Sequence, residues 1–104
     1  MSCYNVIGTM SGTSLDGLDI AYCTFKLIEN KWSFKINSSL TTNFTKQLLK
    51  ELTESKSLNG LDLMKLHNEL GNFIGVSIAD FIKSNNIDRN KIDCIASHGH
   101  TVFH

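Results

Sequence analysis

The sequence contains the stretch Gly8-Thr9-Met10-Ser11-Gly12-Thr13-Ser14-Leu15-Asp16-Gly17-Leu18-Asp19 between two apolar runs. This stretch holds three glycines and four hydroxyl side chains, and it contains neither lysine nor proline. Glycine lets the backbone approach a ligand closely. Backbone N–H groups and Ser or Thr hydroxyls can then wrap an anion such as a phosphate. Phosphoryl chemistry is therefore the first hypothesis for this chain.

Two common phosphate-binding motifs do not describe this loop. A Walker P-loop ends in Gly-Lys-Ser/Thr, which is missing here, and glycines at 8, 12 and 17 do not fit the dinucleotide fingerprint G-x-G-x-x-G. A simple β-hairpin is the alternative, with Asp16-Gly17 as its tight turn. Both interpretations stay open at this point, because the tip of a hairpin can also hold a phosphate.

The composition is that of one small globular domain. The 104 residues are 41% hydrophobic and 19% charged, and their net charge is zero. This charge provides no basic surface for nucleic acid or anionic lipid, and no apolar run is long enough to cross a membrane. The first residues lack the parts of a secretion signal, so the cytoplasm is the expected location. Three cysteines in apolar contexts are expected to be buried thiols: Cys3, Cys23 and Cys94.

The first part of the chain predicts three strands followed by two helices. Strands are expected over residues 4–9, over 18–27 with both faces covered, and over 32–37 with one face buried. A short helix is expected over about 45–55. A longer helix starts after the N-cap residue Asn59 and ends at Asn85-Asn86.

A short apolar run at residues 92–96 predicts a buried last strand. After a meander and helices, this strand must run parallel to its neighbour, which is the opening of an α/β layered domain. Ligands collect at the carboxyl ends of strands in such sheets. We therefore expect the turn at 97–101 and the loop at 8–17 to share one edge. The last strand would lack a further neighbour, so the isolated chain is expected to dimerise or aggregate.

Two segments resemble the anhydro-N-acetylmuramic acid kinase family. The loop at residues 8–19 is similar to the N-terminal motif of that family. Residues Ser97-His98-Gly99-His100-Thr101-Val102-Phe103-His104 resemble its second motif, usually Ser/Cys-His-Gly-Gln-Thr-Val-Trp-His, with His100 in place of the glutamine. The spacing of the two motifs also fits, as does Asn68-Glu69-Leu70-Gly71. The resemblance covers the whole chain but only the first third or less of such an enzyme.

The resemblance implies the N-terminal part of a ribonuclease H-like, actin-like ATPase fold of the sugar-kinase type. Residues 1–104 would form part of the first kinase domain, with the rest of that domain and the second domain absent. The implied protein is a cytoplasmic, ATP- and magnesium-dependent kinase of peptidoglycan recycling. It would convert 1,6-anhydro-N-acetylmuramic acid, ATP and water to N-acetylmuramic acid 6-phosphate and ADP. The catalytic aspartate of the family lies in a later Asp-Phe-Arg segment, so this fragment is expected to hold no catalytic residue and to be inactive alone.

The resemblance also implies which residues bind ATP and which bind the sugar. The first motif is the ATP phosphate loop of the family, and the second belongs to its sugar site. Magnesium, held through a water, is assigned to Asp16 rather than to Asp19, because Asp19 lies inside the predicted second strand. The expected contacts of ATP are Gly12, Thr13, Ser14, Leu15, Asp16, Gly17, Leu18 and Asp19. The expected contacts of the sugar are Ser97, His98, Gly99 and His100.

Two other classes of function stay open. One is a non-catalytic module that binds a nucleotide or a sugar. The other is a small metal-binding domain built on His98, His100 and His104, because the spacing H-x-H-x3-H at a strand end can place two imidazoles on one face.

Overall fold

A computed structural model describes residues 2–12 and 15–103. Its elements follow the predicted order of three strands, two helices and a final strand. In chain order they are β1 (Ser2–Ser11), β2 (Leu18–Ile28), β3 (Lys31–Thr42), α1 (Lys46–Thr53), α2 (Gly60–Ser84) and β4 (Cys94–His100). Short 3₁₀ turns lie at Ser55–Ser57 and Arg89–Lys91.

The four strands form one sheet in the order β3-β2-β1-β4. The pairs β1/β2 and β2/β3 are antiparallel, whereas β4 runs parallel to β1. Glu29 and Asn30 join β2 to β3 with φ of 49° and 63°, and such positive values suit the twist of a two-residue hairpin turn. A parallel neighbour requires a crossover, which α1 and α2 supply. The predicted α/β class, with its meander, helices and parallel strand, is confirmed.

Both helices begin at side-chain caps. The Thr45 hydroxyl accepts a hydrogen bond from the Leu48 N–H at 3.2 Å, and the Asn59 side chain accepts from the Asp62 N–H at 2.8 Å. These bonds satisfy N–H groups that have no partner within the first helical turn. In the part of the chain that the structure describes, neither helix combines the length and apolar content needed to cross a membrane.

The core lies between one face of the sheet and α2. Its buried residues are Ile7, Leu18 and Ile20 from the sheet and Ile78, Phe81 and Ile82 from α2. A second cluster joins α1 to α2 through Leu48, Leu52 and Leu66. The rings of Phe44 and Phe73 lie 5.3 Å apart between their centroids, and both side chains pack against both clusters. The two clusters together fix both helices on this one face.

The opposite face of the sheet carries no helix in residues 2–12 and 15–103. We call it the open face, and part of it is lined by the side chains of Tyr4, Val6, Phe25, Trp32 and Phe34. The expectation that β2 is covered on both faces is therefore wrong. The expectation that one face of β3 is buried is wrong as well. Trp32 and Phe34 are 61% and 68% exposed. Apolar residues alternate onto both faces of these strands, but the two helices cover only one.

The last strand is also more exposed than expected. β4 lies at the edge of the sheet, and its first five residues are exposed, with Ile95 at 52%. Because β4 pairs with β1 on one side only, the prediction of a buried strand is wrong. The expectation that the three cysteines are buried is also wrong. Cys3 and Cys94 are exposed, Cys23 is half-buried, and all three are free thiols.

A buried hydroxyl on β1 lacks a partner. The Thr9 side chain is 5% exposed, and its Oγ1 has no hydrogen-bond partner among the described residues. By contrast, the Thr24 hydroxyl donates to Asn5 Oδ1 at 2.9 Å and accepts from Asn37 Nδ2 at 2.8 Å. The two threonines therefore allow a comparison of stability between a hydroxyl without a described partner, at Thr9, and a hydroxyl with two hydrogen bonds, at Thr24.

We expect Thr9→Val to raise the free energy of unfolding by about 1 kcal/mol, because it removes a buried polar atom without removing a hydrogen bond. Thr24→Val is the control and should lower it by about 1 kcal/mol, since two hydrogen bonds are lost. Urea unfolding of both variants measures the effect. A Thr9→Val variant that is less stable than wild type would show that this hydroxyl has a partner.

Candidate functional site

The two motifs of the sequence lie side by side. In the parallel pairing of β1 with β4, Thr9 is opposite Ser97 and Ser11 is opposite His100. The Ser11 Oγ and His100 Nδ1 atoms are 3.1 Å apart. The glycine-rich loop that follows Ser11 therefore starts next to the end of β4. The expectation that both segments share the carboxyl edge of the sheet is confirmed.

The glycine-rich loop connects two directly paired strand ends. Ser11 and Leu18 are opposite each other in the β1/β2 ladder, so residues 12–17 form the connection. Within it, the Leu15 N–H donates to the Gly12 carbonyl at 3.1 Å, and Leu15 has a φ of 57°. The hairpin is confirmed, but the tight Asp16-Gly17 turn is wrong because the connection is longer. Thr13 and Ser14, two of the expected ATP contacts, lie outside the described residues.

Two residues of the connection, Leu15 and Gly17, and the first residue of β2, Leu18, pack against the rest of the fold. Leu15 packs on the cluster between α1 and α2, and the Leu18 side chain is fully buried in the main core. Gly17 has a φ of 148°, and a Cβ atom there would lie 2.6 Å from the Thr42 carbonyl oxygen. Since the Leu18 side chain is enclosed, a ligand can meet Leu18 only through its backbone. These contacts hold residues 15–18 against the rest of the fold.

Both candidate carboxylates are accessible. Asp16 is exposed within the loop, and Asp19 is exposed on β2. Asp19 Oδ1 accepts a hydrogen bond from the Thr41 hydroxyl at 2.5 Å. Asp19 also lines an open-face cavity of about 1020 Å³ together with Gly8, Met10, Thr41, Ser97 and His98. Asp19 therefore remains a candidate magnesium ligand although it lies inside β2.

A β-bulge shapes the end of β4. β1 advances two residues from Thr9 to Ser11 while β4 advances three from Ser97 to His100. Gly99 takes up the additional residue with a φ of 74°, and its N–H donates to Ser97 Oγ at 3.2 Å. A bulge redirects the side chains that follow it. Here it places His100 against Ser11, while His98 lines the open-face cavity.

A second cavity lies on the helix side of the same turn. It has a volume of about 940 Å³ between α2 and residues 97–103. Most of the α2 side chains around it are apolar, including Met64, Leu70 and Ile74, whereas His67, His98 and His100 contribute imidazoles. The turn at 97–100 thus borders one cavity on each face of the sheet.

The third histidine of the candidate metal set, His104, lies outside the described residues. His98 and His100 are separated by the bulge rather than placed on one regular strand face. Within 2–12 and 15–103, no three His, Cys, Asp or Glu side chains lie close enough together to hold a metal ion.

The sequence did not indicate that Ser11 and Thr41 make side-chain contacts in this region. Ser11 bonds to His100, 89 positions away, and Thr41 bonds to Asp19, 22 positions away. Ser11 lies in the quoted loop, but nothing in the sequence indicates a partner so far along the chain. Both contacts depend on strand register, which only the folded sheet defines.

Comparison with known proteins gives a consistent set of matches. A family model described as anhydro-N-acetylmuramic acid kinase matches residues 4–104. Relatives with that name include proteins of Pseudoalteromonas translucida, 33% identical over 102 residues, and Francisella tularensis subsp. novicida, 33% identical over 101 residues. The alignments cover 95% and 94% of this chain but 25% and 26% of those relatives. The chain therefore spans about a quarter of the length of the curated relatives it matches.

We expect Gly17→Ala to destabilise the protein by more than about 1 kcal/mol, because the new Cβ meets the Thr42 carbonyl and the residue has positive φ. Gly71→Ala on α2 is the matched control. A Cβ at Gly71 would have no atom within 4 Å, so this change should stabilise the helix by about 0.5–1 kcal/mol. Thermal unfolding distinguishes the two, and equal stability of both variants would contradict the described loop path.

Proposed function

Since the chain belongs to the anhydro-N-acetylmuramic acid kinase family, we propose that residues 1–104 form the N-terminal part of the first domain of an actin-like sugar kinase. The rest of that domain and the second domain would come from sequence that these residues do not contain. The proposed reaction converts 1,6-anhydro-N-acetylmuramic acid, ATP and water to N-acetylmuramic acid 6-phosphate and ADP. This reaction belongs to peptidoglycan recycling, and its use of ATP favours the cytoplasm.

One observation carries the proposal, namely the contact between the glycine-rich loop and the end of β4. The Ser11–His100 pair, at 3.1 Å, joins a candidate phosphate loop to a candidate sugar turn. Phosphoryl transfer requires the terminal phosphate to lie in line with the oxygen that receives it. The closeness of two such segments at one sheet edge supports this proposal.

The loop residues are proposed to bind ATP in two ways. The Gly12 N–H and the Thr13 and Ser14 hydroxyls would form the cradle for the phosphates, because neutral donors can wrap an anion without a lysine. Leu15, Gly17 and Leu18 would act through their backbone and by fixing the path of the loop. A loop that is anchored at residues 15–18 loses less conformational entropy when the nucleotide binds.

The residues near the loop also suit magnesium. Asp16 and Asp19 offer exposed carboxylate oxygens, and Mg²⁺ prefers oxygen ligands while keeping several waters. Asp19 has one oxygen engaged by Thr41 and the other free of any described side-chain bond. We propose that Asp16 or Asp19 holds the ion through a water. When bound, magnesium neutralises charge on the transferring phosphate.

The turn after β4 is proposed to face the amino sugar. Ser97, His98, Gly99 and His100 border cavities on both faces of the sheet. A small polar molecule is the proposed partner, and the zero net charge of the chain gives no support for nucleic acid. A module that binds nucleotide or sugar without catalysis is the second candidate, because the loop and the turn by themselves supply groups for binding only.

We propose that two copies of the isolated chain associate. The outer edge of β4 has no neighbouring strand in the described sheet, and the aromatic residues of the open face are exposed. Unpaired strand edges and large apolar surfaces both favour association. Light scattering would contradict this if it found only monomer.

We expect the 104-residue chain alone to release no ADP above background in a coupled assay with ATP and the anhydro sugar, because the aspartate that would activate water belongs to a later Asp-Phe-Arg segment. A longer polypeptide that includes a downstream Asp-Phe-Arg segment should turn over. Turnover by the 104-residue chain would contradict the division of the site. Binding of ATP without turnover by the longer polypeptide would favour the non-catalytic module.

We expect Asp19→Asn and Asp16→Asn to separate the two magnesium candidates. Loss of the carboxylate that holds the ion should weaken Mg²⁺-dependent ATP binding about tenfold, because one charge-assisted contact disappears. The other variant should bind like wild type and serves as the control. Titration calorimetry with and without Mg²⁺ measures this. Equal binding by both variants and wild type would remove both carboxylates from the proposal.

A further inference from the structure

The bulge at the end of β4 directs His100 toward Ser11. A regular parallel ladder would continue from the Thr9–Ser97 pair to place Gly99 opposite Ser11. The register shift places His100 there instead, and the φ of 74° at Gly99 makes the shift possible. The contact between the imidazole and the Ser11 hydroxyl is therefore built into the backbone of the turn.

The burial of the Ser11 hydroxyl favours one tautomer of His100. The Ser11 side chain is 2% exposed, and His100 Nδ1 is its one side-chain partner among the described residues. A serine hydroxyl has one proton, and burying that proton without an acceptor is costly. If Nδ1 were protonated, it would donate to Oγ and leave the serine proton unpaired. A Ser11 hydroxyl that donates to a bare Nδ1 avoids this cost, and the neutral ring then carries its proton on Nε2.

His100 borders the helix-side cavity with one ring nitrogen already engaged. His100 lines this cavity of about 940 Å³, and its Nδ1 is already engaged by Ser11. The α2 side chains nearby are mostly apolar, including Met64, Leu70 and Ile74. A fixed N–H donor in a largely apolar cavity selects a ligand that presents an acceptor oxygen.

We propose that His100 is a specificity-determining residue, held by Ser11 as the Nε2–H tautomer, and that it donates a hydrogen bond to an acceptor oxygen of the amino sugar. The N-acetyl group offers a carbonyl oxygen and the muramic acid portion a carboxylate. This inference rests on the proposed kinase function. The glutamine usual in the family's second motif also carries an N–H donor, so His100 preserves a donor at this position.

The tautomer can be tested without any ligand. In the protein at the length its host produces, with ¹⁵N-labelled histidine and above the pH at which histidine titrates, His100 should show a bare Nδ1 and a protonated Nε2. Ser11→Ala should move the ¹⁵N chemical shifts of both His100 ring nitrogens toward the values of a mixture of tautomers. His67→Gln should leave these chemical shifts unchanged. A protonated Nδ1 in wild type, or an unaltered His100 in Ser11→Ala, would overturn the inference.

The sugar contact is tested by calorimetry on the same protein. His100→Leu should weaken binding of anhydro-N-acetylmuramic acid about tenfold, and His100→Gln should restore most of it because the amide supplies a donor. ATP affinity should stay the same in both variants, which a general loss of structure would not allow.

Unchanged sugar affinity in His100→Leu would overturn the role of His100 while leaving the kinase proposal intact. Equal loss of sugar and ATP affinity would show a structural role and overturn it as well. Absence of sugar binding by the wild-type protein would instead be a failure of the proposed substrate, and it would also remove the ligand assigned to His100. The tautomer measurement still decides separately whether Ser11 fixes the ring.

Discussion

The parallel pairing of β1 with β4 is the contact on which the rest of the structure depends. It brings residues about 90 positions apart to one sheet edge, and it requires the crossover through α1 and α2. The crossover in turn buries Ile7, Leu18 and Ile20 under Ile78 and Phe81, which forms the main core. Without this pairing, the glycine-rich loop would be an ordinary hairpin connection. With it, the loop starts beside the turn at 97–100.

The same edge combines rigidity with available polar groups. Leu15 is half-buried against the cluster between α1 and α2, Leu18 is fully buried, and Gly17 fits against the Thr42 carbonyl, so packing holds residues 15–18 in place. Gly12, Asp16 and Asp19 are left accessible at this edge. Binding sites commonly place such groups on a scaffold that is already ordered, because less entropy is then lost when a ligand binds. The candidate site follows this design within a small chain.

The unbalanced sheet explains the predictions that failed. Alternating apolar residues in β2 and β3 correctly indicate side chains that favour burial on both faces. In the described residues only one face receives helices, so Trp32 and Phe34 remain exposed. The prediction that β4 is buried failed for a related reason, since β1 is its one neighbour in the sheet that residues 2–12 and 15–103 form. A pattern of apolar residues reports a preference for burial but does not report what covers them.

The sequence by itself determined the local structure of this protein, because its signals act over a few residues. Asn59 and Thr45 define where the helices begin, and the glycine-rich motif identifies the candidate phosphate loop. Only the tertiary structure decided the long-range contacts. The bulge at Gly99, the Ser11–His100 bond and the position of Asp19 beside Thr41 all follow from strand register. Register is set by pairing between distant segments, and a linear pattern does not specify it.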